Sequence, residues 1–418
     1  MKKILEYIKI IFFSILFFII SFIPEPVSAH YRVFILSFLG SFFLILLLDK
    51  KILKNLFNFQ DWPLWLFLIC LSAGIISATN KTIALSTYFY LATNLFFIFF
   101  IGKALCYSEK DKNIAVIIIC ICSGLVAIFG LLEIIFAFNP IYEYFIYNPF
   151  HERYIKYIVR PMSTQLNPAP LATYLLITFP FAFYIYRKKK LAKKILGALV
   201  IILNITCFLL TFCRSSYLGL ITMLFFYQLI KKKYGFLLIS FMTIIIISIV
   251  AYFLPYPCNR FSLSGICLYG TGIFSQYRTD RILMAWQMLK DSPIFGVGFN
   301  HFRILFDKYY PGITNIRYIP HEIKIADNMY LTLAAEAGIT GLIGFLIFIL
   351  SLFKKGLKYF TASKKQNEKQ LLLLSMSALA GFLISMAGYE TFYWRNPYMF
   401  FCLLCGFIQG NTKEWNAK

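Results

Sequence analysis

The sequence predicts an all-α, polytopic integral membrane protein with about twelve transmembrane helices and a large outer loop between helices 9 and 10. Of its 418 residues, 60% are hydrophobic and only 14% are charged, and the mean hydropathy is +0.73. Apolar runs that can cross a hydrocarbon core of ~30 Å recur along the whole chain. Residues 1–418 are therefore expected to form a single membrane-embedded unit.

Twelve apolar runs are expected to be the spans. The first follows a basic start and precedes Val27-Ser28-Ala29, which is similar to a signal-peptidase site. Retention of this first helix is the expected outcome, because polytopic proteins commonly begin with one, and cleavage is the alternative. The predicted spans are 8–23, 31–48, 62–78, 83–101, 113–138, 169–186, 195–211, 215–230, 236–254, 330–353, 371–388 and 397–410.

The basic residues predict the orientation of these spans. If the connections alternate sides, the 41 basic residues divide into 26 on the side of the N-terminus and 15 on the other. The first side has 25 lysines and Arg187, and the second has 5 lysines and 10 arginines. The positive-inside rule then places both termini in the cytoplasm. The outer arginines are Arg32, Arg153, Arg160, Arg214, Arg260, Arg278, Arg281, Arg303, Arg317 and Arg395.

Arginine on the translocated face runs against the positive-inside rule and so indicates a use. A guanidinium offers bidentate geometry to phosphate, which an ammonium cannot. The outer face is therefore predicted to hold a phosphorylated ligand. The net charge of +23 does not indicate nucleic acid, since the lysines form short clusters between spans, where they set topology and attract anionic membrane lipid.

Two outer connections are long, at about 139–168 and 255–329. The second carries Cys258 and Cys267, which lie close together in a turn-rich stretch outside the spans. A disulfide between them is plausible if that side of the membrane is oxidising.

A charged hairpin lies at Thr211-Phe212-Cys213-Arg214-Ser215-Ser216, where one span ends and the next begins almost at once. A charge at that depth is costly and usually has a partner. Ser215 and Ser216 begin the next helix, whose free N–H groups favour an anion. An anion site is the favoured interpretation, and an interfacial arginine that reaches towards water is the alternative.

The large loop contributes further candidates. Arg278 and Arg281 lie one turn apart on a predicted helix that also carries apolar residues at helical spacing. A tight turn, Pro293-Ile294-Phe295-Gly296-Val297-Gly298-Phe299, follows it.

The end of this loop leads into the tenth span. Asp327 and Asn328 can cap that helix. Glu336 lies about two turns further along it, and Glu133 lies in the fifth span. Acids inside a membrane are functional candidates.

Taken in order around one large outer loop, these segments resemble the bacterial O-antigen ligase and O-antigen polymerase superfamily. The resemblance covers roughly the second half of the chain, and the first five spans match only in hydropathy. The motifs that carry it are Cys213-Arg214-Ser215, Arg278 through Pro293-Ile294-Phe295-Gly296-Val297-Gly298, Asp327-Asn328-Met329-Tyr330-Leu331, Glu336-Ala337-Gly338-Ile339-Thr340-Gly341-Leu342 and, more weakly, Arg160-Pro161 with Leu166-Asn167-Pro168.

The resemblance implies a GT-C-like fold in the bacterial inner (cytoplasmic) membrane and an active site that faces the periplasm. It further implies inverting, metal-independent transfer of a glycan from undecaprenyl diphosphate, without a cofactor. The acceptor would be lipid A core for a ligase or a lipid-linked repeat unit for a polymerase, and these are close alternatives. Ligase-type members often have a histidine at the position of Asp327, and this departure slightly favours polymerase.

On this basis the candidate residues take roles. Arg160, Arg214 and Arg278 are predicted to bind the donor diphosphate, with Arg281 as a substitute for Arg278. The general base would be Asp327 or His321, and histidine has the better suited ordinary pKa. Supporting roles fall to Ser215, Asn328 and Glu336.

Two other functions would also require a lipid-linked glycan. A lipid-linked oligosaccharide flippase would hold a diphosphate with arginines, but it would line a central cavity with charge and show related halves, and no repeat is visible. Protein O-oligosaccharyl transfer is a minor variant of the transferase interpretation.

Overall fold

A computed structural model describes residues 2–23, 29–49, 52, 56, 58–140, 160–235, 273–310, 324–363 and 365–412. Every regular element in these ranges is helical. The helices of the first half are α1 Lys2–Phe22, α2 Ala29–Leu47, α3 Trp62–Ile76, α4 Lys81–Leu105, α5 Glu109–Phe136, α6 Pro168–Tyr186, α7 Leu191–Leu210 and α8 Arg214–Ile230. The second half adds α9 Ile273–Asp291, the short α10 His301–Ile304 and α11 Phe306–Tyr309, α12 Met329–Ala362, α13 Gln366–Met386 and α14 Arg395–Asn411.

The polytopic, all-helical prediction is confirmed. Within the described ranges, seven helical segments are long and apolar enough to cross a membrane. Helices α1 and α2 contain shorter apolar segments, Tyr7–Phe22 and Phe34–Leu47, and α8 and α14 have 17 residues each. The predicted ninth span, 236–254, lies outside the described residues, and the count of twelve and the GT-C-like topology stay predictions.

Small residues allow the helices to approach closely. A Cβ atom at Gly219 in α8 would lie 2.6 Å from the carbonyl oxygen of Gly381 in α13. A Cβ atom at Gly381 would lie equally close, 2.6 Å, to the carbonyl oxygen of Gly219. Helix α14 is buried along its whole length, and Gly102 of α4 meets the carbonyl of Leu403 within it. Association through small residues is the usual solution where lipid supplies no hydrophobic drive between helices.

A second, smaller apolar core lies beneath the outer loop. Met284 and Met288 of α9 are fully buried there against Phe302 and Phe306. The opposite face of α9 exposes about half of Ile282 and of Trp286. The described part of the loop is therefore packed onto the bundle, and this packing fixes the position of the polar residues around it.

The topology can be tested with reporter fusions. Fusions in the connection 187–194 and in the loop 255–329 are expected to report opposite sides of the membrane, because all the lysine clusters then lie inside. Alkaline phosphatase activity should mark the loop and fluorescence of green fluorescent protein should mark the connection. The same reporter active at both points would contradict the predicted orientation.

Candidate active site

Four polar segments meet at the end of the bundle where α6, α8 and α12 begin. Three of them were predicted: the turn before α6, the α7–α8 hairpin and the end of the large loop. The fourth is the connection between α13 and α14, residues 387–394. The contacts between these segments form a continuous series, described below from the turn before α6 to the end of the large loop.

The first contact joins the turn that carries Arg160 to the hairpin that carries Arg214. The Nε atom of Arg160 donates a hydrogen bond of 2.6 Å to the carbonyl oxygen of Thr211. Thr211 precedes Arg214 by three residues, at the hairpin between α7 and α8. Arg160 and Arg214, 54 residues apart in sequence, therefore belong to one local site.

The turn that carries Arg160 is anchored by Glu133 of α5. One carboxylate oxygen of Glu133 accepts hydrogen bonds from the backbone N–H groups of Met162 at 3.0 Å and Ser163 at 2.6 Å. Asn139 donates to the carbonyl of Ser163 at 3.0 Å. The two backbone N–H donors give Glu133 a structural role, because they fix the turn that carries Arg160 to α5.

At the hairpin, Arg214 is the first residue of α8. The hydroxyl groups of Ser216, Thr173 and Ser385 are mutually within 3.1–3.5 Å, and they tie the outer ends of α8, α6 and α13 together. A Cβ atom placed on Gly388 would lie 2.5 Å from the Cβ atom of Ser215. Ser215 therefore packs against the fourth segment. The hairpin is thus fixed directly beside the α13–α14 connection.

Backbone strain occurs in three of these segments. Phe212, Ser163 and Asp327 have φ values of 48°, 52° and 53°, although none is glycine. Such conformations are uncommon and cluster at functional sites, where the surrounding structure holds them. Phe212 and Ser163 lie within three residues of Arg214 and Arg160, two of the predicted diphosphate ligands. Asp327 is itself a base candidate.

The glycine-rich turn of the large loop is joined to a break in α12. Gly338 has φ 69° and ψ −173°, which interrupts the helix. The N–H groups of Val297 and Gly298 donate to the carbonyls of Ala335 and Glu336 at 2.8 and 3.0 Å. Across the break, the N–H of Ile339 donates to the carbonyl of Pro293 at 2.9 Å. The turn therefore supplies the partners that the interrupted helix lacks.

Substitution of Gly338 tests this junction. Gly338→Ala is expected to lower the melting temperature and the yield of folded protein. The conformation is open essentially to glycine alone, at a cost of about 1–3 kcal/mol for other residues, and a Cβ atom would overlap the carbonyl of Ile294. Gly40→Ala is the control, because α2 leaves open space there. Equal melting temperatures for both variants would contradict the role of the break.

The base candidate Asp327 forms an ion pair with Arg281. The guanidinium of Arg281 contacts the Oδ2 atom of Asp327 at 2.6 Å and donates to the carbonyl of Ile325 at 3.0 Å. Arg281 is 5% exposed. The structure therefore shows Arg281 orienting Asp327. Asn328 caps α12 as predicted, because its side chain accepts from the N–H of Leu331 at 3.1 Å.

Sequence reasoning did not identify Glu390, which connects the fourth segment to the end of the large loop. Its Oε1 atom accepts hydrogen bonds from the N–H of Ala326 and the hydroxyl of Thr332, both at 2.8 Å. The guanidinium of Arg303 lies 3.9 Å from its Oε2 atom. Burial raises the pKa of Glu390, and Arg303 opposes that rise. The sequence offered one signal for this role of Glu390: it is an acidic residue in the short outer connection between the last two spans.

Two variants separate the hydrogen bonding of Glu390 from its charge. Glu390→Ala is expected to lower the melting temperature clearly, because it leaves the buried N–H of Ala326 without an acceptor, at about 1–3 kcal/mol. The hydroxyl of Thr332 can still donate to the carbonyl of Asn328. Glu390→Gln should be mild, because the amide oxygen can accept both bonds and the raised pKa shows that the folded protein disfavours the charge. Melting temperatures measured at pH 7 check this; a Gln variant as unstable as the Ala variant would mean that the charge matters instead.

Glu336 accepts from the main chain and from the fourth segment. Its side chain is fully buried and accepts hydrogen bonds from the N–H of Phe302 at 3.1 Å and from the hydroxyl of Tyr393. It therefore fastens the short helix α10 and the α13–α14 connection to α12. This geometry agrees with the supporting role predicted for it.

His301 has both ring nitrogens engaged by main chain. Nε2 lies 2.9 Å from the N–H of Asn80, and Nδ1 lies 2.8 Å from the carbonyl of Phe299. The Asn80 N–H is a donor, so Nε2 accepts and Nδ1 carries the proton. These contacts assign His301 a structural function.

Several predicted residues lie beyond what the structure describes. His321, Cys258 and Cys267 are outside the described ranges, so their predicted roles and the disulfide stay predictions. Arg278 belongs to α9, one turn before Arg281, but its side chain is outside the description. Among the described residues, no group of three His, Cys, Asp or Glu side chains is placed to hold a metal ion.

Comparison with known proteins supports the resemblance drawn from the motifs. Residues 198–346 match a family model described as O-antigen ligase. The matched segment runs from α7 to the first half of α12 and includes Arg214, Arg281, Asp327 and Glu336. A search of curated proteins found no match.

Proposed function

We propose that this chain, a member of the O-antigen ligase and polymerase superfamily, is an inverting, metal-independent glycosyltransferase of the bacterial inner membrane. It takes a glycan from undecaprenyl diphosphate and transfers it to an acceptor hydroxyl on the periplasmic face. The observation that carries this proposal is the contact of Arg160 with the hairpin of Arg214. Arg214 lies inside the matched segment, and Arg160 precedes it in the chain. No cofactor takes part.

The arginines act on the leaving group. As the bond between the sugar C1 and the phosphate oxygen breaks, the diphosphate gains negative charge, and fixed cations there stabilise the transition state more than the ground state. Arg160 and Arg214 bind the diphosphate, together with Arg278. Each charge-assisted hydrogen bond contributes about 1.5–3 kcal/mol. Arg281 acts indirectly, because it forms an ion pair with Asp327.

The acceptor hydroxyl loses its proton to Asp327 or His321. The Arg281 pair holds the Asp327 carboxylate in a fixed orientation at the start of α12. Glu390 accepts a hydrogen bond from the N–H of Ala326, the residue before Asp327, and Asn328 caps the helix. A base must be fixed within hydrogen-bond reach of its proton, and this packing supplies the required rigidity. Ser215 supports the hairpin against Gly388.

Complementation separates the two acceptor classes. The gene is expressed in one strain that lacks its O-antigen ligase and in another that lacks its polymerase, and the surface polysaccharide is separated on a gel. Restored attachment to lipid A core identifies a ligase, and a restored ladder of repeats identifies a polymerase. Restoration of neither phenotype, with the protein present in the membrane, would count against both.

A further inference from the structure

An apolar groove lies at the opposite end of the bundle from the candidate active site, between α6, α8 and α13. Its volume is about 310 Å³, within the range of pockets that hold small ligands. Its walls among the described residues include Phe179, Phe183, Met223, Leu224 and Leu374. Pro180 also lines it, and this residue has no N–H to continue the α6 hydrogen-bond ladder.

The mouth of the groove is cationic. Arg187 and Lys233 line it, and the guanidinium of Arg187 donates a hydrogen bond of 3.3 Å to the hydroxyl of Tyr227. Burial lowers the pKa of Lys231, and the neighbouring charges of Arg187, Lys233 and Lys369 lower it further. Arg187 and Lys233 therefore place positive charge directly at the mouth, and Lys231 and Lys369 add to the positive charge near it.

The residue type at the mouth also indicates a phosphate. Arg187 is the one arginine among the 26 basic residues that the sequence assigns to the cytoplasmic side. Lysine satisfies the positive-inside rule equally well, so the rule does not explain an arginine here. A guanidinium binds phosphate through two parallel hydrogen bonds, which an ammonium cannot reproduce.

We propose that this groove binds an anionic phospholipid of the cytoplasmic leaflet. One acyl chain lies against Phe179, Phe183 and Leu224, and the phosphate lies between Arg187 and Lys233. Apolar walls that end in cations match a ligand with the same order of apolar and anionic parts, whereas a soluble anion has no apolar part to contact these walls. The site is separate from the outer site proposed for the lipid-linked donor, and it does not depend on the transferase function.

The proposal can be tested on the purified full-length protein in a neutral detergent. Phosphatidylglycerol and phosphatidylcholine with identical acyl chains are titrated separately, and melting temperature and bound lipid by native mass spectrometry are recorded. Phosphatidylglycerol is expected to raise the melting temperature and remain bound, with phosphatidylcholine clearly weaker. Arg187→Gln should weaken phosphatidylglycerol binding about tenfold or more, as expected for a lost charge-assisted contact.

Two further variants distinguish this site from general attraction to charge. Lys189→Gln is the control, because Lys189 is exposed on the same connection and is not part of the groove lining; it should bind as the unaltered protein does. Leu224→Trp fills the groove while it keeps all the cations, and it should also lose binding. Equal binding by unaltered protein, Arg187→Gln and Leu224→Trp would overturn the proposal. So would an equal shift with glycerol 3-phosphate, which has the phosphate but no acyl chain.

Discussion

Arg214→Lys is expected to reduce glycan transfer roughly 10²-fold, the effect of removing one transition-state donor in other enzymes. The substitution keeps the positive charge but replaces the planar fork with a single ammonium, which cannot hold two diphosphate oxygens at once. Arg160 shares the site through the carbonyl of Thr211, so Arg160→Lys should show the same kind of loss. Transfer is measured in membranes that contain equal amounts of each variant.

The matched control is Arg32→Lys. Arg32 lies in α2 on the same predicted outer face, and it has no assigned role in the site. Its substitution should leave transfer unchanged, because charge and membrane topology are both preserved. Normal transfer by Arg214→Lys would remove the diphosphate assignment from the hairpin, and equal losses in both variants would indicate a general effect on the membrane protein.

The second large effect is expected at the general base. Of Asp327→Asn and His321→Ala, one should reduce transfer by roughly 10²–10⁴-fold, and the other should leave most of it. Only the true base accepts the proton of the acceptor hydroxyl, and neither substitution removes a predicted diphosphate ligand. Donor binding should therefore remain in both variants, as measured with a photoreactive lipid-diphosphate analogue.

Two controls separate base chemistry from loss of the ion pair. Arg281→Gln removes the partner of Asp327 but keeps the carboxylate, so an Asp327→Asn loss larger than the Arg281→Gln loss identifies Asp327 as the base. Asp307→Asn removes a carboxylate that pairs with Lys324 and whose side chain is 76% exposed, and it should be neutral. Normal transfer by both Asp327→Asn and His321→Ala would show that the base lies elsewhere.

Hydropathy predicted the helices well because membrane spans must satisfy their backbone hydrogen bonds internally and present apolar side chains to lipid. Eleven of the twelve predicted spans coincide with described helices. Local patterns also predicted the cap at Asn328, since an N-cap needs only a short polar side chain before the helix. These features depend on neighbours within a few residues.

The organisation of the site could not be predicted in the same way, because it depends on contacts between distant segments. Glu390 meets Ala326 across 64 residues, and the turn at Gly298 meets Glu336 across 38. The motif resemblance indicated that the turn at Gly298 and the start of α12 belong together, but it did not include Glu390 or show that Gly338 interrupts α12. Arg281 was expected to stand in for Arg278, and only its burial beside Asp327 reveals the ion pair.

The most direct test of the transferase account uses the purified protein in liposomes with a glycan linked to undecaprenyl diphosphate and an acceptor supplied on the outer side. The account predicts release of undecaprenyl diphosphate in equal amount to the glycosylated acceptor, with the configuration at the anomeric carbon inverted. Arg214→Lys should reduce both products together. Movement of the intact donor across the bilayer, without release of undecaprenyl diphosphate, would contradict the account and indicate a flippase.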